Sequence, residues 1–205
     1  MVSELFYEGQ LEAAPHNSNN QVDWDGQRQG LLFEPVPHAG NGTFSEAEVE
    51  HIAALVDQLL GRPYHLARGE SGVLSGRDIL ITAPYNLQVN RLKQRLCGKA
   101  RVGTVDKFQG QQAPVVFFTM TSSSADDMPR DADFLFSRNR LNVALSRAKC
   151  LAYVVCTDEL LNSRARDLDD MRLISTLCAA VEYSEHGSIS SSISHPTTTS
   201  EVTSS

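Results

Sequence analysis

VGTVDKFQGQQAPVV, residues 102–116, is the stretch that decides the fold. It predicts a short strand ending at Thr104, a D-x-F-Q-G turn, and a second strand within the apolar run 114–120. Gly110 closes the turn, and a glycine lets the backbone approach a ligand closely because it has no Cβ. The β-branched and aromatic run shows no polar alternation, which is typical of a strand buried in a parallel sheet.

Further apolar strands and amphipathic helices alternate on both sides of this stretch. One helix is expected to start at the capping box of Ser45 and Glu48. In another, at 85–97, we expect Leu87, Leu92 and Leu96 to face the core. This alternation predicts an α/β fold, a parallel sheet with helices on both faces. The expected strands are 31–36, 78–82, 101–105, 114–120 and 151–156, and the later helices are 139–149 and 166–183.

Composition divides the chain into three parts. Residues 1–30 are polar and are interpreted as a linker and the start of the domain, and residues 31–183 hold the α/β pattern. The last part, 184–205, contains nine Ser and four Thr in 22 positions. With so little to bury, it is predicted to be a disordered tail.

The net charge of −7 conceals an uneven distribution of charge. Residues 1–60 hold ten acidic residues and one basic residue, Arg28, whereas residues 91–107 hold six basic residues and one acid, Asp106. Local basic patches, and not the net charge, attract a polyanion. The plainer interpretation is that such a run is only a solvated surface.

The sequence carries no signal for secretion or for a membrane. No apolar run approaches the roughly 20 residues that span a bilayer, and the N-terminus MVSELFYEGQ has no basic region of a signal peptide. The four cysteines form neither a C-x-x-C pair nor a zinc-binding spacing. We therefore expect a cytoplasmic protein with reduced thiols.

The sequence contains only part of the phosphate-binding motifs of a complete nucleoside triphosphatase. No P-loop of the form G-x-x-x-x-G-K-[ST] occurs in the sequence. Residues 151–159, LAYVVCTDE, imitate a Walker B strand. Without a P-loop to share magnesium, we expect Thr157 or Asp158 to cap the helix that follows.

Residues 138–149, RNRLNVALSRAK, carry a second chemical signal. Leu141 and Leu145 mark the apolar stripe of a predicted helix, and Arg140 and Arg147, seven residues apart, share a face beside it. Two planar guanidiniums on a rigid helix suit phosphate, because each donates two parallel hydrogen bonds. Arginines bound to surface carboxylates are the alternative.

Together these segments resemble motifs of superfamily 1 helicases, in the branch of the nonsense-mediated-decay RNA helicase, senataxin and the immunoglobulin mu-binding helicases. The resemblance extends over about residues 3–183, and its wording is similar to bacterial members joined to a RecB-like nuclease. The matching segments are 3–11, SELFYEGQL, which resembles the opening of the second motor domain; 79–88, ILITAPYNLQ, motif IV; 103–116, motif V; and 140–149, RLNVALSRAK, motif VI.

The resemblance implies a RecA-like second motor domain without a Walker A motif. In such motors ATP lies between two RecA-like domains, and the first supplies the P-loop and the Mg²⁺ ligands. Arg147, by its register in motif VI, would be the arginine finger that stabilises charge on the γ-phosphate. Gly110, Gln112 and Arg140 would also lie at the nucleotide. Gln112 replaces a glutamate that bonds the ribose, which implies weakened binding.

The resemblance also implies a track for single-stranded DNA or RNA. Thr82, Tyr85, Gln88 and Thr104 match positions near the strand, where hydroxyls and backbone amides grip phosphates without reading sequence. The motif III glutamine and the Y-R dipeptide of such motors belong upstream of Met1. We therefore expect the C-terminal half of an ATP-dependent helicase, inactive by itself.

Different classes of function remain open at this point. The alternative is a non-catalytic nucleic-acid-binding or docking remnant, which the missing P-loop and Gln112 favour and the intact motif VI disfavours. An unrelated flavodoxin-like nucleotide binder does not account for motif VI. The expected partners are single-stranded nucleic acid, the first motor domain and a RecB-like nuclease. In a motor, Arg147 should project from a stiff helix across a cleft, beside the Gly110 loop.

Overall fold

The computed structural model describes residues 5–7, 10–11, 20–24, 29–67, 69–129 and 138–187. Within these ranges the chain forms β1 (Leu5–Tyr7), β2 (Gln10–Leu11), β3 (Gln21–Val22), β4 (Gly30–Pro35), α1 (Glu46–Leu59), β5 (Pro63–His65), β6 (Ser71–Val73), β7 (Ile79–Thr82), α2 (Asn86–Leu96), β8 (Arg101–Gly103), a 3₁₀ turn (Val105–Phe108), β9 (Ala113–Thr119), α3 (Arg138–Leu145), β10 (Ala148–Cys156), α4 (Asp158–Asn162) and α5 (Leu168–Gly187).

Five strands form one parallel sheet in the order β4-β10-β9-β7-β8. β9 lies at its centre, where Val116 is opposite Leu80 of β7 and Ala152 of β10. Every residue of β7 and β9 is buried, which explains why their sequences lack polar alternation. The predicted α/β fold of RecA-like type is confirmed.

Successive residues of the central strands point to opposite faces of the sheet, and helices cover both faces. The face that carries Val116 and Phe118 packs against α3 and α5. The face that carries Phe117 and Tyr153 packs against α1 and α2. Burial of one such large side chain contributes about 1.5–3 kcal/mol. The apolar runs of the sequence therefore become the centre of a two-sided core.

Two small antiparallel sheets accompany the main sheet. β1 pairs with β2, and β3, β5 and β6 form a three-stranded sheet. Within residues 1–30 the sequence predicts a loop after the apolar piece 5–7, yet β3 finds a partner for its backbone N–H and C=O groups in β5. α5 extends to Gly187 rather than to residue 183, and the rest of the predicted tail lies outside the described residues. None of the described helices is both long and apolar enough to cross a membrane.

The boundary between α3 and β10 differs most from the prediction. The sequence favours one helix over 139–149, but α3 ends at Leu145 and β10 begins at Ala148. The sheet gives the reason: the N–H of Ala113 donates to the carbonyl of Arg147 at 3.1 Å, and Ala148 lies opposite Ala113. Strand pairing outweighs local helical propensity here. The prediction that Arg147 lies on a helix is therefore wrong.

Two finer predictions about helices also fail. Leu87 is 48% exposed rather than packed in the core. Ser45 does cap α1, because its Oγ accepts from the N–H of Glu48 at 3.3 Å. The capping box stays incomplete, since the N–H of Ser45 donates to Oε1 of Gln88 at 3.0 Å. The Glu48 carboxylate is thereby free to point into the domain.

The hydroxyl of Tyr153 offers a test of the packing. Tyr153 is 1% exposed, stacks on Phe117 with ring centroids 4.5 Å apart, and its hydroxyl has no hydrogen-bond partner among the described residues. Burial raises the pKa of Tyr153 well above its usual range. We expect Tyr153→Phe to raise the unfolding free energy by about 1 kcal/mol, because it removes an unsatisfied buried group. Urea denaturation measures this, with Tyr64→Phe at a half-buried position as control; a loss of stability would contradict it.

Candidate functional site

The predicted site residues lie at two opposite edges of the main sheet. Thr82 ends β7 and Thr104 follows β8, so both lie at the carboxyl edge. Arg147 directly precedes β10, and Gln112 directly precedes β9, at the amino edge. The connection 104–112 runs from one edge to the other. One short segment therefore joins the predicted nucleic-acid residues to the predicted nucleotide residues.

Arg147 is buried at the amino edge. Its side chain is 6% exposed, and Nη1 donates to the carbonyl of Val105 at 3.0 Å. Burial lowers the pKa of Arg147, and the negative charge of Asp106 opposes that shift. The expectation of a guanidinium projecting from a helix is wrong, because residue 147 lies in the turn before β10. Its hydrogen bond goes to Val105, which begins the 3₁₀ turn that leads to Gly110.

Arg140 and Gly110 are two further residues of the predicted nucleotide site. Arg140 lies on α3, but its side chain is outside the described part of the structure. Gly110 has φ +76, the left-handed region that favours glycine, and no atom lies within 4 Å of a Cβ built on it. The exposed backbone at Gly110 is thus open to a ligand. Gln112 is also exposed.

Arg101 orders the loop that carries Gly110, a role that no motif in the sequence predicts. Its Nη1 donates to Oε1 of Gln111 at 2.9 Å, and its Nη2 to the carbonyl of Gln112 at 3.5 Å. The guanidinium also lies over the ring of Phe108, 6.0 Å from the centroid. Arg101 therefore joins the start of β8 to both ends of the loop. The only sequence signal for Arg101 is its position in the basic run 91–107.

The carboxyl edge holds the predicted strand-binding residues, but most of their polar atoms point inward. Thr82 is fully buried, and its Oγ1 donates to the carbonyl of Phe117 at 3.0 Å. Gln88 is fully buried, and Tyr85 is 8% exposed. Thr104 is half-buried. The geometry does not support direct strand contacts by the side chains of Thr82 and Gln88, since both bond within the domain.

A fully buried carboxylate, Glu48, organises this edge. It accepts hydrogen bonds from the hydroxyl of Thr119, from the N–H of Thr121 at 3.0 and 3.2 Å, and from Nε2 of His38 at 3.0 Å. Gln88 extends the network, because its Nε2 donates to Thr119 at 3.1 Å. The capping-box pattern predicts a different role for Glu48, as an acceptor for the N–H of Ser45. Two of its partners, Thr119 and Thr121, are 71 and 73 residues away in the chain.

His38 links the same network to the turn after β9. Its Nδ1 lies 2.7 Å from Oγ of Ser123, while Nε2 donates to Glu48. A serine, a histidine and a carboxylate in series occur in hydrolases, but Ser123 is fully buried and its Oγ accepts from the N–H of Asn41 at 2.9 Å. The three side chains therefore form a structural clamp. It holds Thr121 at φ +66, a conformation that costs roughly 1–3 kcal/mol.

Two further features concern metal and Walker-like chemistry. Thr157 caps α4 by accepting from the N–H of Glu159 at 3.1 Å, which confirms the structural interpretation of LAYVVCTDE. Across the described ranges no cluster of three or more His, Cys, Asp or Glu side chains could hold a metal ion. All four cysteines are free thiols.

A parallel five-stranded sheet covered by helices, with an arginine and a glycine loop at one edge, defines a domain of the RecA-like α/β class. The model of the family described as AAA domain, AAA_12, matches residues 1–159. The chain belongs to this family.

The relatives with similar sequences are larger proteins. DNA-binding protein SMUBP-2 of Rattus norvegicus is 33% identical over 211 residues, which cover 91% of this chain and 19% of that protein. Putative helicase mov-10-B.1 of Danio rerio is 28% identical, over 75% of this chain and 17% of that protein. DNA polymerase alpha-associated DNA helicase A of Schizosaccharomyces pombe is 36% identical, over 42% of this chain and 13% of that protein. The chain is thus a superfamily 1 helicase domain that spans less than a fifth of these relatives.

Proposed function

We propose that this chain is the second motor domain of an ATP-dependent helicase acting on single-stranded DNA or RNA. It would share one ATP with a first RecA-like domain, which holds the P-loop and the Mg²⁺. The names of the relatives support this, since two are called helicases and one a DNA-binding protein. The nucleotide would lie at the amino edge of the sheet and the strand at the carboxyl edge.

The hydrogen bond of Arg147 to Val105, at the start of the segment that leads to Gly110, is the observation that carries the proposal. The burial of Arg147 counts against the guanidinium aimed across a cleft that the sequence predicts. Buried charges in proteins are nearly always paired with an opposite charge. Arg147 forms no ion pair with the acidic side chains of the described residues, and the hydrogen bond it makes goes to the neutral carbonyl of Val105. A cation kept in this way costs stability, as functional groups often do. The nearby charge of Asp106 offsets part of this cost, and a triphosphate held by the other domain would offset more of it.

In this mechanism Arg147 exchanges the Val105 carbonyl for the γ-phosphate as the two domains close. The guanidinium then stabilises the negative charge that develops during phosphoryl transfer. The exposed backbone of Gly110 lies near the phosphates, and the amide of Gln112 accepts from a ribose hydroxyl. Val143, 43% exposed on α3, offers apolar surface to the first domain.

The exchange also connects the two edges of the sheet. Val105 follows Thr104, which lies at the carboxyl edge. Release of the Val105 carbonyl by Arg147 would therefore loosen the 3₁₀ turn next to the bound nucleic acid. Movement of this segment would couple the nucleotide state to the grip on the strand. Thr104 is the predicted strand residue whose side chain the domain leaves half-exposed.

The proposal is tested by reconstitution. The chain is mixed with a purified first motor domain of the same family, which carries the Walker motifs, and phosphate release is followed with and without a single strand. We expect strand-stimulated release from the mixture and none from either protein alone. If the two proteins form a complex that binds strand but releases no phosphate, the chain is not a working motor half.

A non-catalytic docking or nucleic-acid-binding module is the second candidate, and Gln112 in place of a glutamate favours it. Such a module would bind the strand with an affinity that no nucleotide changes. The motor half instead predicts that ATP and the first domain together alter that affinity. Strand titrations with and without ATP, in the presence of the first domain, separate the two functions.

A further inference from the structure

α1 and α2 lie side by side on one face of the sheet and run in the same direction. Three cations of α2 and the turn after it contact α1 and the residues before it, in matching order. The guanidinium of Arg91 lies 5.3 Å from the ring centroid of Phe44. The other pairs are Arg95 with Glu50 at 2.7 Å and Lys99 with Asp57 at 2.6 Å.

The pair nearest the carboxyl edge differs chemically from the other two. Arg95 and Lys99 are neutralised by carboxylates, and the contact with Glu50 raises the pKa of Arg95. Arg91 lies on an aromatic ring and forms no ion pair or hydrogen bond with the described residues. The first turn of α2 also contains no acidic residue. Positive charge is thus left uncompensated at one end of the helix pair.

The surroundings of Arg91 match the chemistry of a nucleotide. Leu87, one turn earlier on α2, is 48% exposed, and Phe44 is half-buried. Phe44 precedes Ser45, whose N–H donates to Oε1 of Gln88. The backbone next to the Phe44 ring is therefore held by the buried polar network of the carboxyl edge. Single strands are bound by aromatic and apolar surfaces for the bases and by arginines for the phosphates.

We propose that Phe44, Leu87 and Arg91 form a binding site for one nucleotide of a single-stranded nucleic acid. Arg91 pairs with a backbone phosphate through its planar guanidinium. Phe44 and Leu87 contact the neighbouring base. The site extends the strand track beyond the predicted residues, and it rests on the proposed function, since both require that this edge binds a strand.

The matched pair Arg91→Ala and Arg95→Ala tests the site, because both variants remove one positive charge from α2. Anisotropy titrations use labelled oligodeoxyuridylate and oligouridylate of one length over a series of salt concentrations. We expect Arg91→Ala to weaken binding roughly tenfold and to reduce the salt slope by about 0.7, as for one lost phosphate contact. Arg95→Ala should leave both unchanged. Phe44→Leu should weaken binding without changing the slope.

The outcomes separate this inference from the proposed function. Equal losses in Arg91→Ala and Arg95→Ala, with the unmodified chain binding normally, overturn the site and leave the function intact. Absence of binding by the unmodified chain at low salt overturns the site, whereas the proposed function is decided by strand-stimulated phosphate release from the mixture of the two domains. A tenfold loss for Arg91→Ala with only one of the two oligonucleotides supports the site and identifies the sugar it accepts.

Discussion

Arg147→Ala is expected to abolish the strand-stimulated ATPase of the reconstituted motor, lowering kcat by about 10³–10⁵-fold. The arginine acts on charge that develops only in the transition state, so kcat falls while the KM for ATP changes little. Arg147→Lys keeps the charge but loses the planar fork, and we expect an intermediate rate. Steady-state phosphate release at saturating strand measures all three proteins.

The control for this prediction must separate chemistry from folding. Arg147 also bonds the Val105 carbonyl, so its removal alters the 3₁₀ turn. Thermal unfolding of the isolated variant shows whether the domain survives, and strand affinity without ATP shows whether the carboxyl edge does. Arg95→Ala, an exposed change of the same charge, should retain full activity. An Arg147→Ala motor that hydrolyses ATP at the normal rate removes the finger assignment.

The main sheet could be predicted from the sequence because its strands are buried on both faces. Runs such as 114–120 have no polar alternation, which is typical of a strand buried in a parallel sheet. The end of α3 could not be predicted in this way. Residues 146–149 have good helical propensity, and only the pairing of Ala148 with Ala113, 35 positions earlier, converts them to strand.

The site was predicted less completely than the fold. The resemblance assigned Arg147, Gly110 and Gln112 to one nucleotide site, which stays a prediction. It did not predict the burial of Arg147, which depends on the turn before β10. The hydrogen-bond partners of Glu48 could not be predicted either, because the capping-box pattern with Ser45 already gave Glu48 a local role. A buried carboxylate is satisfied by whatever donors the fold brings together, and Thr119 and Thr121 are distant in sequence. Polar networks of this kind follow from tertiary structure.

Glu48→Ala is expected to lower the unfolding free energy by about 3–5 kcal/mol, because three buried donors lose their acceptor at a cost of about 1–3 kcal/mol each. The change leaves three buried donors without an acceptor: the N–H of Thr121, the hydroxyl of Thr119 and Nε2 of His38. It also removes the bonds that hold Thr121 at φ +66. Because domains are stable by only about 5–15 kcal/mol, this is a large fraction of the total. Urea denaturation at neutral pH measures it.

Glu46→Ala is the matched control, since Glu46 lies on the same first turn of α1 but is exposed, and a change there should stay within about 0.5 kcal/mol. Glu48→Gln separates charge from shape. Its amide keeps one acceptor for Thr121 but turns an NH₂ toward another donor, so an intermediate loss of about 1–3 kcal/mol is expected. If Glu48→Ala cost no more than Glu46→Ala, the carboxylate would not hold the edge together. The turn after β9 would then owe its strained conformation to the hydroxyls of Thr121 and Ser122, which donate to the carbonyl of Gly42, and to the hydrogen bonds between Ser123 and Asn41.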